Sequence, residues 1–203
     1  MMEFGGADLP ESTAIDEHEL VSRCLAGDRA SREKLVDHFL REVLTLCLGL
    51  LGHLQDAEDA AQETFVRVLR FLDRWDGRPL RPWIFTIATN CCRNQRRGKK
   101  MLVEMPEGSL AFEHPSLAES LDEQTPVLEA AIMEGLSQLR FEYRMAIVLH
   151  HHLHQPIDRV GEILNSPSGT VKTWLSRGRN ALWEWLESNG YVNRLSRGKK
   201  TEG

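Results

Sequence analysis

The sequence predicts an all-α protein with two small helical domains joined by a flexible acidic linker, the C-terminal domain being a helix-turn-helix. Three observations predict this fold class. Apolar residues recur every three or four positions in nearly every periodic segment, and no segment alternates convincingly like a strand. Prolines and acids interrupt the periodicity between residues 101 and 126. A turn signal, Asn165-Ser166-Pro167, separates two helical patterns near the C-terminus.

Four helical patterns make up the N-terminal half. The first is a short apolar stripe that ends near Gly27, and the second ends near Gly52. The third covers about residues 56–74 with one apolar face. The segment 75–81 contains glycine and proline and is typical of a loop. We expect Pro82 to start the fourth helix, because its missing N–H costs nothing in a first turn.

The C-terminal half resumes helical periodicity after the interrupted segment. Four further patterns are expected there, over residues 127–139, 143–153, 157–164 and about 168–187. The last ends before Asn189-Gly190, a pair that favours a helix end. The predicted boundaries are an acidic tail at 1–17, a domain at 18–100, the linker at 101–126, a second domain at 127–190 and a basic tail at 191–203.

Charge is distributed in blocks, although the net charge is only −5. Residues 1–20 carry six acids and no Lys or Arg, and residues 101–126 again carry six acids and no Lys or Arg. Residues 93–100 carry five bases and no acid, and residues 172–200 carry seven bases and two acids. Such alternation indicates a protein that contacts nucleic acid at two places and something basic elsewhere.

Several classes of protein have little support. No apolar run approaches the ~18–20 residues of a membrane span, so we expect no membrane insertion. The N-terminus lacks a signal peptide, which favours a cytoplasmic protein. The four cysteines form no C-x-x-C pair and are expected to be reduced and mostly buried. Without a P-loop, an H-E-x-x-H or a G-x-S-x-G motif, we expect no enzyme, no cofactor and no metal site.

Residues 156–182 have the layout of a helix-turn-helix, whose second helix enters the major groove of DNA. Ser166 is expected to cap that second helix and Pro167 to start it. Along its outward side short hydroxyls come first and cations follow. Hydroxyls near a helix start reach base edges and phosphates, and later cations neutralise the DNA backbone. Spacing alone leaves open an ordinary helical hairpin with a solvated face.

The string GEILNSPSGTVKTWLSRGRNAL, residues 161–182, resembles the fourth-domain signature of the extracytoplasmic-function (ECF) sigma factors of bacterial RNA polymerase. The run from Gly169 to Lys172 matches that signature at every position. The resemblance implies that this domain reads the promoter element near −35. The residues expected to do so are Ser168, Thr170, Lys172, Thr173, Arg177 and Arg179.

A second string, DAEDAAQETFVRVLR at residues 56–70, resembles the core-polymerase-binding helix of the same family. Its acids are spaced to share one helical face, which fits a basic partner surface. The resemblance implies that this partner is core RNA polymerase, through its β′ clamp helices, with the β flap as another contact and an anti-sigma factor as a further candidate partner. The polymerase-binding residues are expected to be Asp56, Glu58, Asp59, Gln62 and Glu63.

Residues 81–97, RPWIFTIATNCCRNQRR, resemble the family segment that reads the −10 element and melts the duplex. The loop before it corresponds to one that captures an unstacked base of the non-template strand, which requires stacking and hydrogen bonds to the base edge. Trp83 is expected in the core, whereas Trp75 suits the core and a stacking role about equally. The expected promoter residues here are Arg74, Trp75, Arg78, Thr86, Asn90, Arg93, Asn94 and Arg97.

The C-terminal domain departs from the family pattern at several points. Gly161 stands where Ala is usual, and Asn165-Ser166 replaces a Gly-Ile turn. Gln155-Pro156 is atypical before the helix-turn-helix, where the alignment can slip by one residue. Trp183 and Trp185 are two positions apart and cannot share one helix face, so one of them is a candidate contact for a partner such as an anti-sigma factor.

Two other classes of protein remain as alternatives. A stand-alone helix-turn-helix transcriptional regulator with a helical sensor domain would bind duplex DNA by itself, but it would not need the acidic string at 56–70. A metalloprotein could use His150 and His154, whose i, i+4 spacing is able to hold zinc. We favour a structural role for these histidines and for His151 and His152, as replacements for polar and aromatic residues at a helix end. The negative pole of the helix there also suits a partly protonated imidazole.

Overall fold

The computed structural model describes residues 16–102 and 124–191. These residues form eight α-helices and two short turns of other helix types, with no strand in either range, which confirms the all-α prediction. Residues 1–15 of the predicted acidic tail, residues 103–123 of the predicted linker and residues 192–203 of the predicted basic tail lie outside the described residues. No helix in the described ranges is long and apolar enough to cross a membrane.

Four helices build the N-terminal domain. They are α1 (Glu17–Leu25), α2 (Arg29–Leu51), α3 (Leu54–Arg70) and α4 (Leu80–Leu102), with a 3-10 turn at Leu72–Arg74 after α3. The Asp16 carboxylate caps α1, and the Asp28 carboxylate caps α2. Gly52 closes α2 in the left-handed conformation with φ +83°, which a glycine adopts without strain. Helices α2, α3 and α4 pack against one another around fully buried side chains such as Phe39 and Val68.

The C-terminal domain contains α5 (Gln124–Gln138), α6 (Phe141–Ile147), a π-helical turn (Val148–His152), α7 (Ile157–Leu164) and α8 (Ser168–Ser188). Helices α7 and α8 form the predicted helix-turn-helix. The turn between them passes through Asn165, which ends α7 in the left-handed conformation with φ +50°. Val160 of α7 and Val171 and Leu175 of α8 are buried in the core of the domain, as the apolar pattern predicts.

The starts of α4 and α5 and the cap of α8 differ from the predictions. Helix α4 begins at Leu80, two residues before Pro82, because a side chain of α1 satisfies its first N–H. Pro126, expected to interrupt any helix, lies in the first turn of α5, where no N–H partner is required. Ser166 does not cap α8: its hydroxyl donates to the Leu164 carbonyl, and Pro167 takes the cap position with no side-chain hydrogen bond.

Helix α4 buries a broader face than its amphipathic stripe predicts. Phe85 and Cys92 are fully buried, whereas Trp83, which was expected in the core, and Ile87 are only partly buried against it. The helix contacts α2, α3 and also α7 of the second domain, so more than one of its sides is covered. All four cysteines are free and buried, as predicted.

The two domains pack directly on each other. Helix α2 contacts α5, α6 and the π-helical turn, and α4 contacts α7. A Cβ built on Gly49 of α2 would lie 3.0 Å from both methyl groups of Val148 in the second domain. Buried apolar residues of both domains form one continuous cluster. Sequence patterning predicted two domains but gave no sign of this contact.

The turn of the helix-turn-helix explains the unusual glycine of α7. A Cβ built on Gly161 would lie 2.7 Å from the main-chain carbonyl oxygen of Ser166, which cannot rotate away as a side chain could. We predict that Gly161→Ala lowers the free energy of unfolding by about 1–3 kcal/mol, the usual cost of overpacking. The melting temperature measured by circular dichroism checks this value.

Gly169 of α8 provides the matched control, because no heavy atom lies within 4 Å of a Cβ built there. Gly169→Ala should be neutral or gain up to about 1 kcal/mol from helix propensity. Equal melting temperatures for the two variants would contradict the steric explanation.

Candidate nucleic-acid interface

The exposed face of α3 carries the acidic residues singled out in the sequence. Glu58, Asp59, Gln62 and Glu63 are exposed, and Asp56 is partly exposed in the first turn of the helix, where its charge complements the helix dipole. The structure therefore brings all five predicted polymerase-binding residues onto one accessible surface. They are presented by a helix whose opposite side is held in the core by Phe65 and Val68.

An exposed valine continues this acidic face. Val66 keeps 59% of its surface accessible and follows Gln62 by one helical turn. Glu63 is bound to Arg67 (Oε1–Nε 2.5 Å), which raises the pKa of Arg67. The sequence analysis assigned no role to Val66. Its position on the polar side of an amphipathic helix nevertheless indicates an exposed apolar side chain.

The loop before α4 is organised by contacts within itself. The Trp75 indole N–H donates to the Arg78 carbonyl (2.6 Å), and the Arg78 guanidinium is paired with Asp76 (2.7 Å). The Arg74 guanidinium lies over the Phe71 ring at 4.8 Å. Trp75 is half-buried against the core, with its polar edge committed to the loop. The three predicted residues of this loop are thus held in one ordered segment.

Helix α1 supports the loop from outside, which sequence reasoning missed. The Glu17 carboxylate accepts a hydrogen bond from the Leu80 N–H (2.9 Å) and so caps α4. The His18 ring packs against Trp75 with centroids 4.8 Å apart, close to the left-handed Gly77. Glu17 and Leu80 are 63 residues apart, and no local pattern connects them.

Helix α4 presents the predicted −10 residues along one side. Asn90, Asn94 and Arg97 are exposed, and Thr86 and Arg93 are partly exposed. The Arg93 guanidinium donates to the Asn90 side-chain oxygen (2.8 Å), which fixes the two side chains relative to each other. The Thr86 hydroxyl donates to the main-chain carbonyl of residue 82 (2.9 Å), so its proton is already used.

The first turns of α8 present a mixed surface. Lys172, Thr173, Arg177 and Arg179 are exposed, whereas Ser168 and Thr170 are half-buried. The Ser168 hydroxyl donates to the Asp158 carboxylate of α7 (2.6 Å), which joins the two helices of the motif. The Ser168 hydroxyl is therefore already used in a contact between the two helices, whereas the sequence predicted that it approaches a base. Its role as a DNA contact remains a prediction. The four exposed side chains are accessible to DNA.

The histidine cluster lies in and beside the π-helical turn before α7. The His150 Nδ1 atom is 2.8 Å from the Gln155 carbonyl oxygen, and His154 has φ +52°. Burial lowers the pKa of His151, and the nearby positive groups of His150, Arg179 and His154 lower it further. The lowered pKa makes the protonated form of His151 less favourable than that of a free histidine, so it gives no support to a charged imidazole at this helix end. Among the described residues, no three or more acidic, histidine or cysteine side chains form a group that could hold a metal ion.

Comparison with known proteins places the chain in a family. The sequence model of the protein family Sigma-70 region 2 matches residues 35–101, and that of the family Sigma-70, region 4 matches residues 129–182. The ECF RNA polymerase sigma factor SigW of Bacillus subtilis (strain 168) is 34% identical over 170 residues, covering 79% of this chain and 91% of that protein. The chain belongs to the ECF sigma factors. It binds core RNA polymerase and directs transcription initiation at promoters.

Further similarities agree with this ECF sigma factor assignment. The ECF RNA polymerase sigma factor SigE of Mycolicibacterium smegmatis is 29% identical over 187 residues, covering 89% of this chain and 69% of that one. The structure of RpoE in complex with the anti-sigma factor NepR from Bartonella quintana aligns with TM-score 0.63 and 26% identity, covering 76% and 96% of the two chains. The structure of CnrH with the cytosolic domain of CnrY aligns with TM-score 0.65 and 22% identity, covering 86% and 99%, which supports the fold.

The capping carboxylate of α1 gives a test of the loop architecture. We predict that Glu17→Ala leaves the global fold intact but loosens residues 73–80, because removing a cap costs about 0.5–2 kcal/mol locally. Hydrogen–deuterium exchange should show faster exchange confined to this loop and the first turn of α4.

Glu19→Ala is the control, because the exposed Glu19 carboxylate is paired with Arg23 of the same helix. Exchange rates in the loop that are the same for both variants would show that Glu17 does not hold it.

Proposed function

We propose that this sigma factor docks on core RNA polymerase through the acidic face of α3. The observation that carries the proposal is the exposed cluster of Glu58, Asp59, Gln62 and Glu63 on a helix that the core holds rigidly. Val66 adds an apolar contact in the same stripe, so the partner surface should combine positive charge with an apolar patch. The β′ clamp helices are the proposed partner of this face, with the β flap contacting the C-terminal domain.

The −10 element is assigned to α4 and the loop before it. The loop fixes Trp75 and Arg78, and the helix presents Asn90, Asn94 and Arg97 to solvent. Amide side chains suit hydrogen bonds to base edges, and cations suit phosphates. The half-buried indole offers its ring for stacking with an unpaired base once the duplex has opened.

The −35 element is assigned to the start of α8. Lys172, Arg177 and Arg179 anchor the helix on phosphates, and Thr173 approaches base edges together with Thr170. Ser168 contributes through its hydrogen bond to Asp158, which sets the angle between the two helices of the motif. A stand-alone regulator is not favoured, because it would have no use for the polymerase-binding face of α3.

Three broader properties follow from this proposal. The chain acts in the cytoplasm, where bacterial polymerase and promoter DNA are found. It has no catalytic activity of its own, since the polymerase supplies the chemistry. An anti-sigma factor is a further proposed partner, because Trp183 keeps 53% of its surface exposed while Trp185 stacks with Tyr191 (centroids 5.9 Å). This arrangement agrees with the expectation that the two tryptophans occupy different faces.

Charge reversal tests the polymerase-binding face. We predict that combined Asp59→Lys and Glu63→Lys lowers the affinity for core polymerase at least tenfold without changing the melting temperature, because both side chains are exposed in the free chain. Fluorescence anisotropy of labelled sigma factor titrated with core enzyme measures the effect.

The control is combined Glu184→Lys and Glu187→Lys, which makes the same charge change on exposed positions of α8. If both double variants bind core polymerase like the wild type, the α3 assignment is wrong.

Variants in the two regions of the protein that are assigned to the −10 and −35 elements should show different defects. Arg177→Ala should weaken holoenzyme binding to promoter DNA at all sequences and lower the salt slope by about one unit, because one phosphate contact is lost. Trp75→Ala should leave the closed complex largely intact and impair strand opening, since an unstacked base exists only after melting. Gel-shift titration over a salt series and permanganate footprinting measure the two steps.

Arg29→Ala provides the control for loss of a single positive charge, because Arg29 is exposed at the start of α2. Normal promoter opening by Trp75→Ala, or a wild-type salt slope for Arg177→Ala, would overturn this division of roles.

A further inference from the structure

The start of α1 and the loop before α4 meet in a corner of two aromatic side chains. The exposed imidazole of His18 packs on the half-buried indole of Trp75, with ring centroids 4.8 Å apart and ring planes inclined by 50°. Rings at this angle do not cover each other as a parallel stack would. The two side chains therefore form two walls of a corner, and each keeps an accessible surface.

Hydrogen bonds at the start of α1 hold His18 in this position. The Asp16 carboxylate accepts from the His18 N–H (3.0 Å), which fixes the main chain of His18 in the first turn of the helix. The neighbouring Glu17 carboxylate accepts from the Leu80 N–H (2.9 Å), which ties this end of α1 to the start of α4. The imidazole is thus placed beside the loop by its main chain and leaves its own polar atoms unused for this purpose.

Gly77 makes room for the imidazole within the loop. Its backbone is left-handed, with φ +81°, and a Cβ built on it would lie 3.1 Å from the His18 Cε1 atom. Carbon atoms pack best at about 3.5–4.0 Å, so a larger residue at position 77 would displace the ring. The loop is therefore shaped around His18, which would not be required if two exposed side chains only happened to touch.

The polar groups of Trp75 and Arg78 are engaged in contacts within the loop. The Trp75 indole N–H donates to the Arg78 carbonyl (2.6 Å), and the Arg78 guanidinium is paired with Asp76 (2.7 Å). The indole has no other polar atom, so the Trp75 ring can stack on a base but has no proton left for the base edge. Reading the identity of that base therefore needs a polar group beside the indole.

The His18 ring has the polar edge that the indole lacks. Within residues 16–102 and 124–191, the structure gives this ring an aromatic contact but no hydrogen bond to its Nδ1 or Nε2 atom. A neutral imidazole carries one N–H donor and one acceptor nitrogen, so it can bond to donor or acceptor groups on a base. Recognition of an unstacked base requires both a stacking surface and hydrogen bonds to the base edge. The corner offers the first through Trp75 and the second through His18.

We propose that His18 is a specificity-determining residue of this sigma factor, whose imidazole bonds to the edge of the unstacked base that stacks on Trp75. The inference rests on the proposed function, because it takes the capture of a base by the loop before α4 as given. It adds α1 to the promoter-reading surface, which the function assigned above confines to α4, α8 and that loop. The four bases present different donors and acceptors at their edges, so an imidazole contact favours some bases over others.

Base discrimination by the holoenzyme tests this role. Core polymerase carrying the full-length chain is titrated with fork-junction DNA whose non-template −10 strand is single-stranded, and each −10 position in turn carries one of the four bases or an abasic site. The captured position is the one where an abasic site weakens binding of the wild type but not of Trp75→Ala. There His18→Phe should narrow the affinity difference between the best and the worst base by roughly 2- to 10-fold, the usual value of one hydrogen bond.

Two comparisons separate a base contact from mere support of the loop. His18→Phe keeps a ring that packs on the indole, so it should bind abasic DNA like the wild type and discriminate normally at every other −10 position. His151→Phe is the matched control, because His151 is also exposed and its ring contacts that of His150 at the same centroid distance of 4.8 Å, but in the second domain. This control should discriminate between bases like the wild type.

Three outcomes decide the matter. If His18→Phe discriminates like the wild type at the captured position, the inference is wrong. An equal loss of affinity for all templates would also overturn it, since His18 would then only support the loop. If Trp75→Ala binds every template like the wild type, the loop captures no base, and the −10 role proposed for the loop is refuted together with the inference.

Discussion

Unpaired main-chain groups at helix ends are the constraint on which this structure depends. An all-helical chain leaves N–H groups at each helix start and carbonyls at each helix end without partners. Nearby side chains bind some of these groups: the Asp16 and Asp28 carboxylates accept hydrogen bonds from N–H groups in the first turns of α1 and α2. Side chains distant in sequence bind others: the Glu17 carboxylate accepts from the first N–H of α4, and the Arg144 guanidinium donates to a carbonyl in the last turn of α2. The first of these contacts fixes the loop that precedes α4, and the second joins the two domains.

The fold was predictable from sequence where the signal is local. Helix periodicity identified α2, α7 and α8, because apolar residues recur every three or four positions in each helix and a glycine, asparagine or proline signal follows it. The predicted start of α4 was wrong, because the Leu80 N–H donates to the Glu17 carboxylate, which lies 63 residues earlier in the chain. The width of the buried face of α4 was missed for a similar reason, since a second domain covers a side that would otherwise face water. Long-range contacts leave no periodic trace in the chain.

The candidate site was predictable in its composition but not in its geometry. The acidic positions of α3 and the cations of α8 are accessible, as their phase in each helix indicates. The hydroxyl of Ser168 was expected to face DNA and is bound to Asp158 instead, because a short side chain at a helix start also reaches the neighbouring helix. Val66 escaped notice because a lone apolar residue on a polar face carries little weight in a pattern. The contact of Arg93 with Met145 depends on domain packing and could not be inferred from sequence.

The π-helical turn explains how the chain absorbs its unusual stretch before the helix-turn-helix. The Leu153 N–H donates to the Val148 carbonyl five residues earlier (3.0 Å), so this turn holds one residue more than an α-helical turn would. His154 then takes a left-handed conformation, and α7 begins three residues later. Val160 and Val171 remain fully buried beyond this turn, and the side of α8 proposed to contact DNA stays exposed.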